Sequence, residues 1–220
     1  MRSTLALGVV ALAASWIGGM WFALRASGAL PRLGAEPLTA ARDLVRAGRI
    51  SDALNEYRSA WAIDPSSANG LDEMVALMER SGAKEAAVRA REEALARRPV
   101  DPRRHAALAA ALSGVGRFDA ALKHLELALK LDPGFAPALV GMGDVFWERG
   151  DPRRAAAAYA RALALDPGSA DAHNKMGVAL AVLGDQEGAV AQFSAALRIL
   201  PTSAEIASNL DRARAAGAER

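Results

Sequence analysis

A proline recurs every thirty-four residues along this chain, each time after a helix-favouring segment. The five positions are Pro65, Pro99, Pro133, Pro167 and Pro201. Proline in a helix interior removes a backbone donor and clashes with the preceding turn, at about 3 kcal/mol, so each of these residues predicts a helix end. Helix ends at a fixed spacing predict an array of similar structural units.

Glycine and alanine keep the same period as the proline. Glycine separates two helical segments in every copy, at Gly48, Gly82, Gly116, Gly150 and Gly184. Alanine recurs at the same period in two series, one from Ala53 to Ala189 and the other from Ala60 to Ala196. We call each set of equivalent positions a repeat column. Glycine adopts the left-handed conformation that closes a helix, and alanine allows two helices to approach closely. Each unit is therefore predicted to be an antiparallel helix pair that buries its apolar face by stacking on its neighbours.

The copy at 136–167 shows how the residues define the pair. Its first helix is predicted from about Ala136 to Glu148, with Gly150 closing it. Asp151 then suits the N-cap of the second helix and Pro152 its first position. Small Gly143 and Ala155 are expected to let the two helices approach closely, while Phe146 and Tyr159 fill the wider parts of the seam. The residues that share these faces are Leu139, Met142, Gly143 and Phe146 on the first helix and Ala155, Tyr159 and Ala162 on the second.

This pattern resembles the tetratricopeptide repeat family, with its period of thirty-four and its motif W-x2-L-G-x2-Y, then A-x3-F, then P. The fifth copy matches as the fourth does, through His173, Met176, Gly177, Leu180, Ala189, Phe193, Ala196 and Pro201. The resemblance is weaker in the first copy, where Gly34 and Pro37 occupy the helix start, and in the second, where Arg91 replaces a large apolar residue.

The resemblance implies an all-α protein, a right-handed α-solenoid of about five helix pairs over residues 36–201. By register the copies are 34–67, 68–101, 102–135, 136–169 and 170–203, and a capping helix is expected at 202–220. Aromatic residues make up only 5% of the chain, which agrees with an all-helical fold.

The N-terminal segment is a different kind of sequence. Residues 4–24 carry no charge, and as a helix they would span the hydrocarbon core of a bilayer. We therefore predict a transmembrane anchor or signal segment at 1–25 and a linker at 26–35. The alternatives are an uncleaved anchor, which makes the chain a single-pass protein of a bacterial-type inner membrane, and a cleaved signal, which makes it a secreted or periplasmic protein. Arg2 at the very start favours a periplasmic location for the repeats.

Composition excludes several kinds of chemistry. The net charge is +2 and the charged residues alternate in sign, so no nucleic-acid partner is expected. There is no cysteine, which excludes disulfides and zinc-thiolate sites. The three histidines have no metal-ligand spacing and no nucleophile stands beside a base, so we expect no metal, no cofactor, no catalytic residue and no enzyme activity.

Function is then expected in the surface that the stack creates. Tetratricopeptide arrays typically bind a peptide or helix in a concave groove lined by the first helix of each pair. By register the charged, amide and aromatic groove positions are Arg42, Arg46, Asn69, Asp72, Glu79, Arg103, Asp144, Trp147, Glu148, Asp171 and Asn174. Smaller residues such as Ala106, Ala110, Ser113 and Val140 form the centre. Trp147 is a candidate binding hot spot, and the alternative is that it packs on a neighbouring helix.

The acidic residues of this groove predict a protein or peptide partner that is apolar with basic flanks. The chain is thus expected to be a non-catalytic, membrane-anchored scaffold in the assembly or biogenesis of a membrane-associated complex. The alternative is a self-associating structural subunit of such a complex, which would make the chain a homo-oligomer.

Overall fold

A computed structural model describes residues 37–63 and 68–218, and the regular secondary structure of this part of the chain is entirely α-helical. The helices are α1 (Pro37–Arg46), α2 (Ile50–Ile63), α3 (Ala68–Arg80), α4 (Lys84–Arg97), α5 (Pro102–Gly114), α6 (Phe118–Leu131), α7 (Ala136–Glu148), α8 (Pro152–Leu165), α9 (Ala170–Val182), α10 (Gln186–Ile199) and α11 (Ala204–Ala218). The chain divides into two compact units, of which the first ends at Met74 and the second begins at Val75.

The predicted membrane segment at 1–25, the linker at 26–35 and Pro65 lie outside the described residues. Among the helices from α1 to α11, none is long and apolar enough to cross a bilayer.

All five periodic glycines end a first helix in the left-handed conformation, with φ between 73° and 85°. At the end of α7 the amide of Gly150 donates to the carbonyl of Trp147 at 2.9 Å, and the amide of Asp151 donates to that of Phe146 at 2.9 Å. This pair of bonds is a Schellman motif, which satisfies carbonyls that the end of the helix leaves open. The same two bonds close α1, α3, α5 and α9.

Each second helix of the second unit begins close behind that turn and ends two residues before a periodic proline. The side chains of Asp151 and Asp185 accept backbone N–H bonds at the N-caps of α8 and α10. After α6 and α8, the Asp-Pro-Gly sequence forms a turn in which Asp132 and Asp166 each accept the N–H of the glycine two residues on, at 3.0 and 3.1 Å. A short aspartate side chain thus helps to redirect the chain into the next pair.

Small residues set the contact between the two helices of a pair. A Cβ on Gly143 of α7 would lie 2.3 Å from the Tyr159 ring of α8, and one on Gly177 of α9 would lie 2.7 Å from the Phe193 ring of α10. Both rings are 2% exposed. Phe146, which we expected to fill the seam beside Tyr159, is only half-buried, and the guanidinium of Arg154 lies 5.0 Å from its ring centroid.

The first unit contains one such pair, in which α1 packs against α2. Its buried side chains include Ala41, Ala53, Tyr57 and Trp61. Tyr57 stands in the same repeat column as Tyr159.

Candidate functional site

The first helices of three successive pairs in the second unit border a cavity of about 400 Å³. Its apolar wall is made mostly of small side chains, and the larger members are Leu125, Pro137, Val140 and Val145. The lining residues are Ala106, Ala109, Ala110 and Ser113 of α5, Leu125 of α6, Ala136, Pro137, Val140, Gly141, Asp144, Val145 and Glu148 of α7, Ala162 of α8, the turn residues Asp166 and Ser169, and Asp171 of α9. We call this cavity the acidic groove.

Helical spacing on α7 explains which predicted residues reach the acidic groove. Val140, Asp144 and Glu148 are four residues apart, so they lie on one face of the helix, and all three line the cavity. Trp147 precedes Glu148 by one residue, which turns it about 100° away on the helix. It is 38% exposed and does not line the acidic groove, so its role as a binding hot spot stays a prediction.

A hydrogen-bonded cluster ties the carboxylates of the groove to the helices behind them. The buried Tyr159 hydroxyl donates to Asp144 Oδ1 at 2.7 Å. Lys175 Nζ of α9 lies 2.9 Å from Asp144 Oδ2 and 3.0 Å from Asp171 Oδ2, so one ammonium bridges two carboxylates. Burial and then the Asp144 carboxylate raise the pKa of Tyr159 far above its ordinary value. Burial lowers the pKa of Lys175, but the two carboxylates outweigh it and the net pKa is raised.

The other end of the groove is also joined across repeats. The Ser113 hydroxyl of α5 donates to Glu148 Oε2 of α7 at 2.5 Å. With Asp144, Asp166 and Asp171, Glu148 gives four carboxylates among the described lining residues, which include no lysine or arginine. A cavity lined by one sign of charge focuses the field and attracts the opposite charge.

The first unit contains the same cluster with its charges exchanged. Arg42 of α1 donates to Glu73 of α3 through Nε at 2.9 Å and through Nη2 at 2.6 Å, and the Tyr57 hydroxyl donates to Glu73 Oε2 at 2.9 Å. Arg42, Tyr57 and Glu73 stand in the repeat columns of Asp144, Tyr159 and Lys175. The hydrogen bond from Arg42 is the largest influence that lowers the pKa of Glu73, and the pKa of Arg42 is raised by the same bond.

The cation and the carboxylate have therefore changed places between the two units, while the tyrosine donates to the carboxylate in both. Sequence reasoning missed this relation. The signal is present in the sequence: the charges at positions 42 and 73 are the reverse of the charges at the equivalent positions 144 and 175.

The predicted residue Asn174 is bound to the last helix. Its Nδ2 donates to Glu205 Oε1 at 3.3 Å, and its Oδ1 accepts from Asn209 Nδ2 at 3.0 Å. Arg212 in turn donates to Asn209 Oδ1. Asn174 therefore helps to seat α11 on α9, and it does not line the acidic groove.

The remaining predicted groove residues are not brought to this cavity. In the first unit, Arg46 is exposed and pairs with Asp43 at 2.8 Å, and Asp72 is exposed. The side chain of Asn69 lies outside the described part of the chain. In the second unit, Glu79 and Arg103 are exposed.

The three histidines make structural hydrogen bonds. His105 Nε2 lies 3.0 Å from the carbonyl of Pro99, which can only accept, so this nitrogen carries a proton. His105 Nδ1 lies 3.0 Å from His124 Nδ1 and accepts from it when His105 is neutral. His173 repeats the arrangement with the Pro167 carbonyl at 3.2 Å and the Gln192 side chain at 2.7 Å. Across residues 37–63 and 68–218, no group of three or more histidine and carboxylate side chains is placed to hold a metal ion.

Comparison with known families and structures identifies the repeat. Residues 140–204 and 102–135 each match a family described as tetratricopeptide repeat. Residues 102–135 and 140–204 are tetratricopeptide repeats. Such arrays are generally non-catalytic scaffolds for protein interactions, and the expectation that this chain is not an enzyme stays a prediction.

Solved structures, two of them described as tetratricopeptide repeat proteins, have the same fold. TTC0263, a thermophilic tetratricopeptide repeat protein of Thermus thermophilus, is 24% identical with a TM-score of 0.64, over 81% of this chain and 98% of that one. Yeast Tom70 is 20% identical with a TM-score of 0.66, over 83% of this chain and 39% of that one. YrrB, a tetratricopeptide repeat protein with an unusual peptide-binding site, is 23% identical with a TM-score of 0.52, over 80% and 90%. No curated protein sequence matches the chain significantly.

Proposed function

We propose that the chain is a non-catalytic tetratricopeptide scaffold that binds a segment of a partner protein in the acidic groove. The observation that carries this proposal is the cavity of about 400 Å³, which three first helices border and which combines an alanine-rich wall with four carboxylates. Such a surface offers an apolar side chain a place to be buried and gives the flanking polar groups a fixed orientation.

The scaffold is proposed to act at a membrane, through the apolar residues 4–24, with the repeats on the periplasmic side of a bacterial-type inner membrane. The length of the uncharged run supports anchoring, and the linker at 26–35 would separate the bilayer from the repeats. A scaffold held at the membrane raises the local concentration of partners that assemble there, which is why we place it in assembly or biogenesis of a membrane-associated complex.

Site-specific photo-crosslinking in cells tests groove binding. A photo-reactive residue replaces Val140, which lines the acidic groove, or Lys130, which is exposed on α6 and lies outside it. We expect a protein adduct from position 140 and not from position 130. Adding Ala110→Leu, which fills the alanine wall, should abolish the adduct. Equal adducts from the two positions, or an adduct that survives Ala110→Leu, would contradict the proposal.

A further inference from the structure

We propose that the acidic groove recognises a cationic side chain of the partner segment, and that Lys175 occupies the place of this cation while the groove is empty. The inference rests on the proposed function. It goes further because it names the charge of the partner and assigns Lys175 the role of an internal competitor.

The geometry of Lys175 carries the first step. Asp144 and Asp171 both line the cavity, and a single ammonium already fits between them at 2.9 and 3.0 Å. Lys175 itself does not line the cavity, and its side chain reaches the two carboxylates from the second turn of α9. The spacing of these carboxylates therefore suits one amine, whether it comes from the chain or from a partner.

Exchange of one cation for another is feasible because the bridge is partly solvated. The side chain of Lys175 is 33% exposed, and those of Asp144 and Asp171 are 39% and 63% exposed. Ion pairs of this exposure are weak, so a partner can displace one at small energetic cost. Asp144 keeps the bond from the Tyr159 hydroxyl on its other oxygen, which holds the carboxylate in place during the exchange.

The rest of the lining favours a cation and disfavours an anion. Glu148 and Asp166 add two further carboxylates. A partner carboxylate would meet these groups, and the Lys175 ammonium is already bound to Asp144 and Asp171. The alanines of α5 leave room beside the carboxylates for an apolar side chain. The fitting partner is thus a segment in which lysine or arginine stands near a large apolar residue.

The test uses the purified full chain and three short capped fluorescent peptides. They share a leucine-rich centre and differ only in carrying lysine, glutamine or glutamate at the flanks. Fluorescence anisotropy at low salt measures the affinity of each peptide. We expect the lysine peptide to bind most tightly and to lose affinity as salt is raised.

The sign of the effect at Lys175 decides the inference. Lys175→Met removes the competitor, so we expect the lysine peptide to bind about threefold tighter. Asp171→Asn removes the charge of one of the two carboxylates but leaves the bond from Lys175 to Asp144, so we expect binding about threefold weaker. Lys130→Met, which changes the net charge equally at an exposed position outside the groove, should leave the affinity unchanged. Circular dichroism checks that each variant is folded.

The outcomes separate a failure of this inference from a failure of the proposed function. Weaker or unchanged binding of the lysine peptide by Lys175→Met, or unchanged binding by Asp171→Asn, would overturn the role of Lys175. If the glutamate or glutamine peptide binds best and Ala110→Leu abolishes that binding, the groove still binds peptides and only the cationic preference is wrong. If no peptide binds, or if Ala110→Leu leaves binding intact, the proposed function fails as well.

Discussion

The exchanged clusters of the two units predict that one can be rewritten as the other. Asp144→Arg alone removes the acceptor of the Tyr159 hydroxyl and places a second cation beside Lys175. Tyr159 is 2% exposed, and a buried hydroxyl without an acceptor costs about 1 to 3 kcal/mol. The ion pair is a third exposed, so its loss adds only about 0.5 kcal/mol. We expect Asp144→Arg to reduce the free energy of unfolding by about 2 kcal/mol, which corresponds to a fall in Tm of roughly 4 to 8 °C.

Adding Lys175→Glu and Asp171→Asn to this variant reproduces the residues of the first unit, where Arg42, Asn69 and Glu73 occupy these columns. Tyr159 then regains a carboxylate, as Tyr57 has Glu73 at 2.9 Å. We expect the triple variant to recover to within about 0.5 kcal/mol of the parent protein.

Thermal unfolding followed by circular dichroism measures each variant. The exposed pair Asp43–Arg46 serves as the control, because exchanging its charges should change the free energy of unfolding by less than about 0.5 kcal/mol at every step. If the triple variant is no more stable than Asp144→Arg, or if Asp144→Arg itself has no effect, the clusters of the two units are not equivalent.

Two further predictions concern packing and pH. Gly150→Ala forces a left-handed conformation on alanine, but the new Cβ meets no atom within 4 Å, so we expect the free energy of unfolding to fall by about 1 kcal/mol. Gly143→Ala places a Cβ 2.3 Å from the Tyr159 ring, so we expect a fall of about 3 kcal/mol. Chemical denaturation measures both values, and equal falls would contradict this order. Burial, and then the charge of His105, lower the pKa of His124 below its ordinary value, with Glu92 opposing and Arg117 adding to the shift. The unfolded chain therefore takes up more protons than the folded chain as the pH falls through about 6.5, so stability is full above that pH and declines below it. His124→Gln introduces the residue that the fifth repeat has at the equivalent position, Gln192. Between about pH 7 and pH 5, the Tm of this variant should fall less than that of the parent protein. An equal fall in the two proteins would show that His124 is not the group responsible.

The parts of the fold that follow from local backbone chemistry could be predicted from the sequence. Gly150 and Pro167 predict helix ends because single residues determine them: glycine readily adopts a left-handed φ, and proline has no backbone N–H. The helix α7 has the predicted bounds Ala136–Glu148. The sequence also indicated that small Gly143 lets α7 approach α8 closely, but not that the Tyr159 ring is what lies against it.

The side-chain pairs between repeats could not be predicted in the same way. The bond from Lys175 to Asp144 joins residues 31 apart, a separation set by how one pair stacks on the next and not by the repeat period itself. The position of Trp147 outside the cavity and the half-buried state of Phe146 depend likewise on packing between helices. Register places a residue on a helix face, but the neighbouring helices decide what covers that face.

Methyl NMR of the full chain tests whether the acidic groove is the binding surface. Titration of the lysine peptide should shift the methyl signals of Val140 and of Ala106 and Ala110 in a saturable way, while the exposed Leu131 and Leu165 keep theirs. Saturable shifts confined to Leu131 and Leu165, with the groove methyl signals unchanged, would show that the peptide binds outside the acidic groove.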